Sequence, residues 1–134
     1  MGAFKVLQIP YSALERQNEQ WITAASMKDI GTVIRGGVAK GEPGQSGVNR
    51  PDAWAVYEQA KLDVVKPQTE SRTSFMLRFT LSHPDVHTTI VGTLNPEHLK
   101  ANAEAASRGP LPPNVYAEAR KLLAAAGQVP ATTG

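Results

Sequence analysis

Apolar positions recur along this chain in two rhythms. FKVLQIP (4–10), GTVIRGG (31–37) and HTTIVG (87–92) are short, β-branched and apolar on successive residues, which predicts strands. Elsewhere the spacing is three to four. RQNEQWITAASMKD (16–29) sets Trp21, Ile22 and Ala25 at helical intervals, with Asp29-Ile30-Gly31 as a stop. PDAWAVYEQAKL (51–62) and ESRTSFMLRFTLSHP (70–84) also read as helices. The second starts polar, spaces Phe75 with Phe79 and Leu77 with Leu81 four apart, and breaks before Pro84. NPEHLKANAEAAS (95–107) predicts a further helix, and after the breaker GPLPP (109–113) NVYAEARKLLAAAG (114–127) predicts a last one, ended by a glycine cap. Glycine punctuates 36–47 as a loop, and 128–134 reads as a frayed tail.

Strands that are apolar on both faces and alternate with helices indicate a parallel sheet covered by helices. Three strands cannot close a barrel, and an open sheet leaves two edges without partners. Composition adds exclusions. The 134 residues are 41% hydrophobic and 19% charged, a globular balance in a length that suits one domain. The basic pI near 9.0 comes with a net charge of only +2, from scattered lysines and arginines, which argues against nucleic acid as a partner. No run has the length of a membrane span, the first residues lack a signal peptide's features, and there is no cysteine. A cytoplasmic protein without membrane contact is expected.

Ligands of α/β proteins gather at the carboxyl ends of parallel strands. Those ends are Gln8-Ile9-Pro10, Arg35-Gly36-Gly37 and Gly92-Thr93. After the third, Asn95 is placed as an N-cap with Pro96 at the first helical position. Amides of that first turn could hold a phosphate, and His98 and Asn102, four apart, share a face. The same turn also has a purely structural reading, in which Leu94 and Leu99 form a hydrophobic staple. Neither a P-loop nor a Rossmann glycine fingerprint is present. SHPDVH (82–87) lacks the spacing of a metal site and reads as a helix end entering a strand. Ser46 lacks a nucleophile-elbow spacing. Glu15, Glu19 and Glu58 read as solvated helix faces, Trp21 and Trp54 as core or helix packing, and Tyr57 and Tyr116 as helix packing.

Taken together, QIPYSALER, TVIRGGVAKGEPG and TIVGTLNPEHLKANAEAA resemble the C-terminal half of an aldo/keto reductase, from about Phe4 to Gly127. Gly92, Leu99 and Asn102 fit the family's most specific spacing. The resemblance implies an α/β fold that is a partial (half) TIM barrel. Three parallel strands, the sixth to eighth of the complete barrel, would alternate with helices and be followed by a C-terminal helix. Residues 1–127 would form this half-barrel and 128–134 a flexible tail. The family binds NADP(H) across the carboxyl face and transfers hydride at a carbonyl or alcohol carbon.

By the same resemblance Gln8 would bond the nicotinamide carboxamide, and Arg35 would take the place of an aromatic that stacks on the nicotinamide ring. Gly36, Gly37 and Val38 would begin the pyrophosphate loop. Gly92, Thr93 and Leu94 would clasp the 2′-phosphate, and His98 and Asn102 would contact the adenine end. With leucine at 94 and no cation until Lys100, weaker discrimination between NADP(H) and NAD(H) is expected. The family's catalytic aspartate, tyrosine, lysine and histidine match nothing in this chain, so no catalytic residue is assigned and the chain is expected to be inactive alone. Two further readings stand beside this one. The half-barrel could associate with a copy of itself or with a complementary half, acting as a nucleotide-binding or structural protein. Alternatively, the chain could be an enzyme of a different chemistry.

Overall fold

The computed structural model describes residues 3–41 and 50–131. Three strands, β1 (Val6–Pro10), β2 (Gly31–Arg35) and β3 (Thr88–Thr89), form one parallel sheet in the order β1-β2-β3. Five helices join or follow them: α1 (Glu19–Ser26), α2 (Pro51–Gln59), α3 (Arg72–Ser82), α4 (Pro96–Ser107) and α5 (Pro113–Ala125). A 3₁₀ turn at Leu62–Val64 connects α2 towards α3. The expected class is what the chain adopts, an open α/β sheet that corresponds to part of a TIM barrel.

β1 and β2 pair in full, from Val6 beside Gly31 to Pro10 beside Arg35. Because side chains alternate across a strand, Ile9 and Ile34 point to one face, while Gln8, Val33 and Arg35 point to the other. Ile9 and Ile34 are buried in the core with Ile22 of α1, Trp54 and Tyr57 of α2, Phe75 and Phe79 of α3, and Leu123 of α5. The helices therefore cover the Ile9–Ile34 face. On the opposite face Val6, Gln8, Arg35 and Ile90 are exposed, Val6 to 57%. The expectation of strands buried on both faces thus holds for one face only. In a closed barrel the second face would be lined by neighbouring strands, and here none is present among the described residues.

The third strand is shorter than the six residues its composition predicts. Only Thr88 and Thr89 pair with Val33 and Ile34, and the Ile90 amide adds one bond to the Ile34 carbonyl at 2.8 Å. Upstream, a side chain replaces backbone: the Thr32 amide donates to His87 Nδ1 at 3.0 Å, and the Thr32 hydroxyl donates to the Asp85 carbonyl at 2.8 Å. Among the described residues no strand pairs with its outer side, and 90–92 fall outside the strand.

Several local signals of the sequence hold in the structure. Asn95 caps α4, accepting from the Glu97 amide at 2.9 Å, and Pro96 sits at the first position. Gly127 closes α5 in the left-handed conformation (φ +88°), with the Gln128 amide bonding back to the Leu123 carbonyl at 2.8 Å. Trp54 is buried, but Trp21 is half exposed on α1, above the free edge of β1. It lies in a groove with Leu7, Pro10 and Ile30, on a helix face that no described element covers.

Glu19 corrects the solvated-face expectation most sharply. It is 5% exposed, and its carboxylate accepts from Arg16 Nε at 2.7 Å and from an Arg120 guanidinium nitrogen at 3.2 Å. Arg16, 2% exposed, also donates to the Gln128 carbonyl at 3.0 Å. The network ties the β1–α1 loop to α5 and to the residues just after it. Glu15 is half-buried and pairs with Arg50, while Glu58 is exposed and pairs with Arg72.

Beside this network Tyr11 and His83 meet edge to face, 5.8 Å between ring centroids, both buried. His83 ends α3, and its Nδ1 accepts from the Asp85 amide at 3.1 Å. Burial lowers the His83 pKa from its ordinary value, against opposing pulls from Glu19 and Asp85. In the unfolded chain the imidazole takes a proton below about pH 6.5, whereas the folded site resists until lower pH. Across that window the unfolded chain binds the extra proton, so stability is lost as pH falls through about 6.5. Urea midpoints at roughly pH 7.5 and 5.5 are expected to show the decline, and His83→Gln to flatten it. Parallel profiles for the two proteins would count against His83 as the source.

Candidate functional site

The site is built where β2 and β3 end. Gly36 leaves β2 in the left-handed conformation (φ +72°), with nothing within 4 Å of where a Cβ would stand. Gly37 is the opposite case. A Cβ there would lie 3.0 Å from Thr89 Oγ1 and 3.2 Å from Thr80 Cγ2, so the backbone is tucked against β3 and α3. The Thr80 hydroxyl donates to the Gly37 carbonyl at 2.9 Å. Two further residues, Ala39 and Lys40, also have positive φ (47° and 62°), a conformation that costs a non-glycine residue roughly 1 kcal/mol or more. The surroundings hold it: Ala39 is buried, and its carbonyl accepts from Trp54 Nε1 at 3.3 Å. The described part of the expected 36–47 loop is thus a pinned turn. Its remainder, with Ser46, lies outside the described residues.

This turn forms one wall of a cleft of about 1090 Å³. The segment after β3 and the first turns of α4 form another, and the start of α3 closes the third side. Small-ligand sites run to about 300–1,000 Å³, so this cleft suits an extended ligand. Eight of the ten candidate residues line it: Gly36, Gly37, Val38, Gly92, Thr93, Leu94, His98 and Asn102. The other two do not. Gln8 and Arg35 are exposed at the sheet's open face, on adjacent strands two positions apart in register.

Ser71, Thr73 and Ser74 from α3, and Lys40 from the turn, also line the cleft and were not singled out. The polar opening of the third helix, ESRTS, was the available signal, since Ser71 is its N-cap and accepts from the Ser74 amide at 3.1 Å. Lys40 is a single lysine in a glycine-rich stretch and gave none. Among the described lining residues it is the one with a permanent formal charge.

Two details of α4 revise the expected phosphate clasp. Leu94 is fully exposed and Leu99 mostly so, so they form no staple. The first-turn amides are also largely spent. Pro96 has none, and the Glu97 amide is held by Asn95. The Asn95 amide in turn takes the Thr93 hydroxyl as acceptor at 3.1 Å. His98 keeps the first-turn amide that has no acceptor among the described residues. Among the described residues, no three histidine, aspartate or glutamate side chains group to hold a metal ion, and no helix is long and apolar enough to cross a membrane.

A sequence model of the Aldo/keto reductase family matches residues 3–124. Two solved structures resemble the fold. The holo form of aldo-keto reductase AKR11C1 from Bacillus halodurans is 25% identical with a TM-score of 0.70, over 90% of this chain and 41% of that one. Its apo form is 22% identical with a TM-score of 0.67, over 88% of this chain and 43% of that one. The chain therefore spans about two-fifths of the length of these structures. No curated protein sequence matches it.

Proposed function

This chain belongs to the aldo/keto reductase family, and we propose that it is the cofactor-binding, C-terminal part of an NAD(P)H-dependent carbonyl reductase barrel. The observation that carries the reading is the convergence of three segments, distant in sequence, on one cleft at the carboxyl ends of parallel strands. The fit is physical as well as positional. Bare backbone at Gly36 and Gly92, where no side chain fills the space, lets phosphates approach main-chain amides. His98 and Asn102, on one face of α4, offer donors and acceptors to an adenine edge. Gln8 and Arg35, exposed on the open face, would meet a nicotinamide that reaches beyond the cleft. The bound dinucleotide supplies or accepts the hydride.

The chain alone does not turn over in this reading. A developing alkoxide needs a positioned acid with a tuned pKa, and the tyrosines here do other work. Tyr11 and Tyr57 are buried in the core, and Tyr116 packs on Phe79. Burial pushes Tyr11 far above the ordinary phenol range, the wrong direction for an acid. Titration of the purified chain with NADPH, followed by nucleotide fluorescence, is expected to saturate, and a carbonyl-reduction assay to show no turnover. Failure to saturate sinks the cofactor reading, and turnover sinks the inactivity.

A second reading has its own observation. Phe4, Val6 and Leu7 are exposed on or just before β1, an edge strand among the described residues, and Leu7 shares a groove with the exposed Trp21. Such an edge favours association with a copy or with a complementary half-barrel. Size exclusion of the chain alone is expected to show an oligomer, and a well-dispersed monomer would remove this reading.

A further inference from the structure

We infer that Glu70 is a positioning residue for the cleft: its buried carboxylate, joined to Arg78 and Arg108, fixes how α4 presents His98 and Asn102. The inference rests on the dinucleotide reading above and names the ion network behind one wall of that site. α4 is lightly anchored. Ala105 is its one buried residue among those described, and it shares a face with His98 and Asn102, at spacings of three and four. Support from upstream is thin as well. Residues 92–95 lie in no strand, and their hydrogen bonds among the described residues stay within the segment and the first turn of α4.

The firm attachment is at the other end. Arg78 of α3 donates from Nε to the Gly109 carbonyl at 2.9 Å and from a terminal nitrogen to the Pro110 carbonyl at 3.0 Å. The Leu111 amide donates to Ser82 Oγ at 2.8 Å. Glu70 stands at the centre of this strap. Both its carboxylate oxygens accept from Arg78, at 3.0 and 3.2 Å, and one accepts from Arg108, the C-cap of α4, at 3.4 Å. The Glu70 backbone is held too, its amide donating to the Pro67 carbonyl at 3.0 Å and its carbonyl accepting from Lys66 Nζ at 2.7 Å. A carboxylate fixed at its backbone and bonded to two guanidinium groups makes a stiff joint. It also adjoins Ser71, the N-cap of α3, which lines the cleft, so one residue links both helical walls. The geometry is that of a lever. His98 lies about 15 Å along the helix from Arg108, and a tilt of about 5° at the joint moves it by roughly 1 Å. That is enough to spoil a hydrogen bond, whose useful range spans a few tenths of an ångström.

The test titrates the whole chain with NADPH by calorimetry, as wild type, Glu70→Gln, Arg108→Ala and the two combined. Each single variant is expected to weaken binding about fivefold, the worth of one hydrogen bond. The sign separates position from field. Glu70→Gln removes a negative charge and Arg108→Ala a positive one, so a long-range effect on an anionic ligand would run in opposite directions. The combined variant is expected to lose about as much as the larger single loss, because both act through one joint. Arg108 is half exposed, so the urea midpoint of Arg108→Ala is expected to stay close to wild type. Lost affinity at unchanged stability is what a merely structural bridge does not give. Hydrogen exchange of α4 is expected to quicken in both single variants. If Glu70→Gln folds too weakly to titrate, Arg108→Ala decides, and weakened binding with unchanged α4 exchange overturns the inference. Affinities within about twofold of wild type, or shifts of opposite sign, also overturn it and leave the cofactor reading intact. Wild type that fails to bind NADPH overturns both.

Discussion

Replacing Glu19 with alanine is expected to cost the fold about 3–5 kcal/mol, the range for breaking a buried ion pair by removing one partner. The reason lies in Arg16. Its guanidinium is almost wholly enclosed, with Glu19 accepting from Nε at 2.7 Å and from a second nitrogen at 3.3 Å. Without the carboxylate, the charge keeps the Gln128 carbonyl at 3.0 Å and a distant Arg120 carbonyl at 3.5 Å, neither of which neutralises it. Arg120 differs. Its side chain is 46% exposed, so its pair with Glu19 is screened, and Arg120→Ala is expected to cost at most about 1 kcal/mol. Urea denaturation followed by circular dichroism measures both. The mechanism has a sharper check in the double variant Glu19→Ala with Arg16→Met. It removes the stranded charge and should recover much of the loss, since apolar replacement of a buried pair is often neutral. A double variant as unstable as Glu19→Ala alone would mean that shape, not charge, matters here.

What the sequence disclosed and what it hid divide along a physical line. Features set by neighbours in the chain were legible: the strand runs, the Asn95-Pro96 entry to α4 and the Gly127 exit from α5. Features set by distant partners were not. Glu19 stands at the start of a helix, where an acidic residue favours the macrodipole in solvent as well, and only α5 folding over it reveals the burial. Lys40 carries no local motif, yet the fold brings it to the cleft. Trp21 and the strand faces failed in the opposite direction. Val6, Leu7 and Trp21 have core chemistry, and the sequence rightly marked them apolar, but the surfaces that would cover them are not among the described elements. α4 shows the same effect, with Ala105 its one buried residue among those described. Apolar residues left exposed at one sheet edge and one sheet face are what a segment of a closed barrel should carry, and the coverage of about two-fifths of each matched structure agrees.

Phe79→Ala is expected to cost a similar amount, about 3–5 kcal/mol, through a cavity rather than a charge. Phe79 is fully buried in α3, and its ring meets Tyr116 of α5 edge to face, with centroids 5.0 Å apart at 64°. Alanine removes the ring from the joint between these helices and leaves Tyr116 without its partner, whose geometry adds about 0.5–1.5 kcal/mol beyond burial. Phe79→Leu keeps most of the volume and should cost clearly less. The consequence reaches the cleft because α3 has two duties. Its middle anchors the core, while Ser71, Thr73 and Ser74 at its start line the site and Thr80 near its end pins Gly37. If the helix stays docked and only the cavity is added, NADPH affinity at temperatures well below the melt should change by less than about threefold, while the urea midpoint falls steeply. If affinity and midpoint fall together, the wall of the cleft depends on this one ring to hold its place. A loss below about 1 kcal/mol for Phe79→Ala would instead mean that α3 and α5 are not packed as described, and the cleft wall would have to be rebuilt from different contacts.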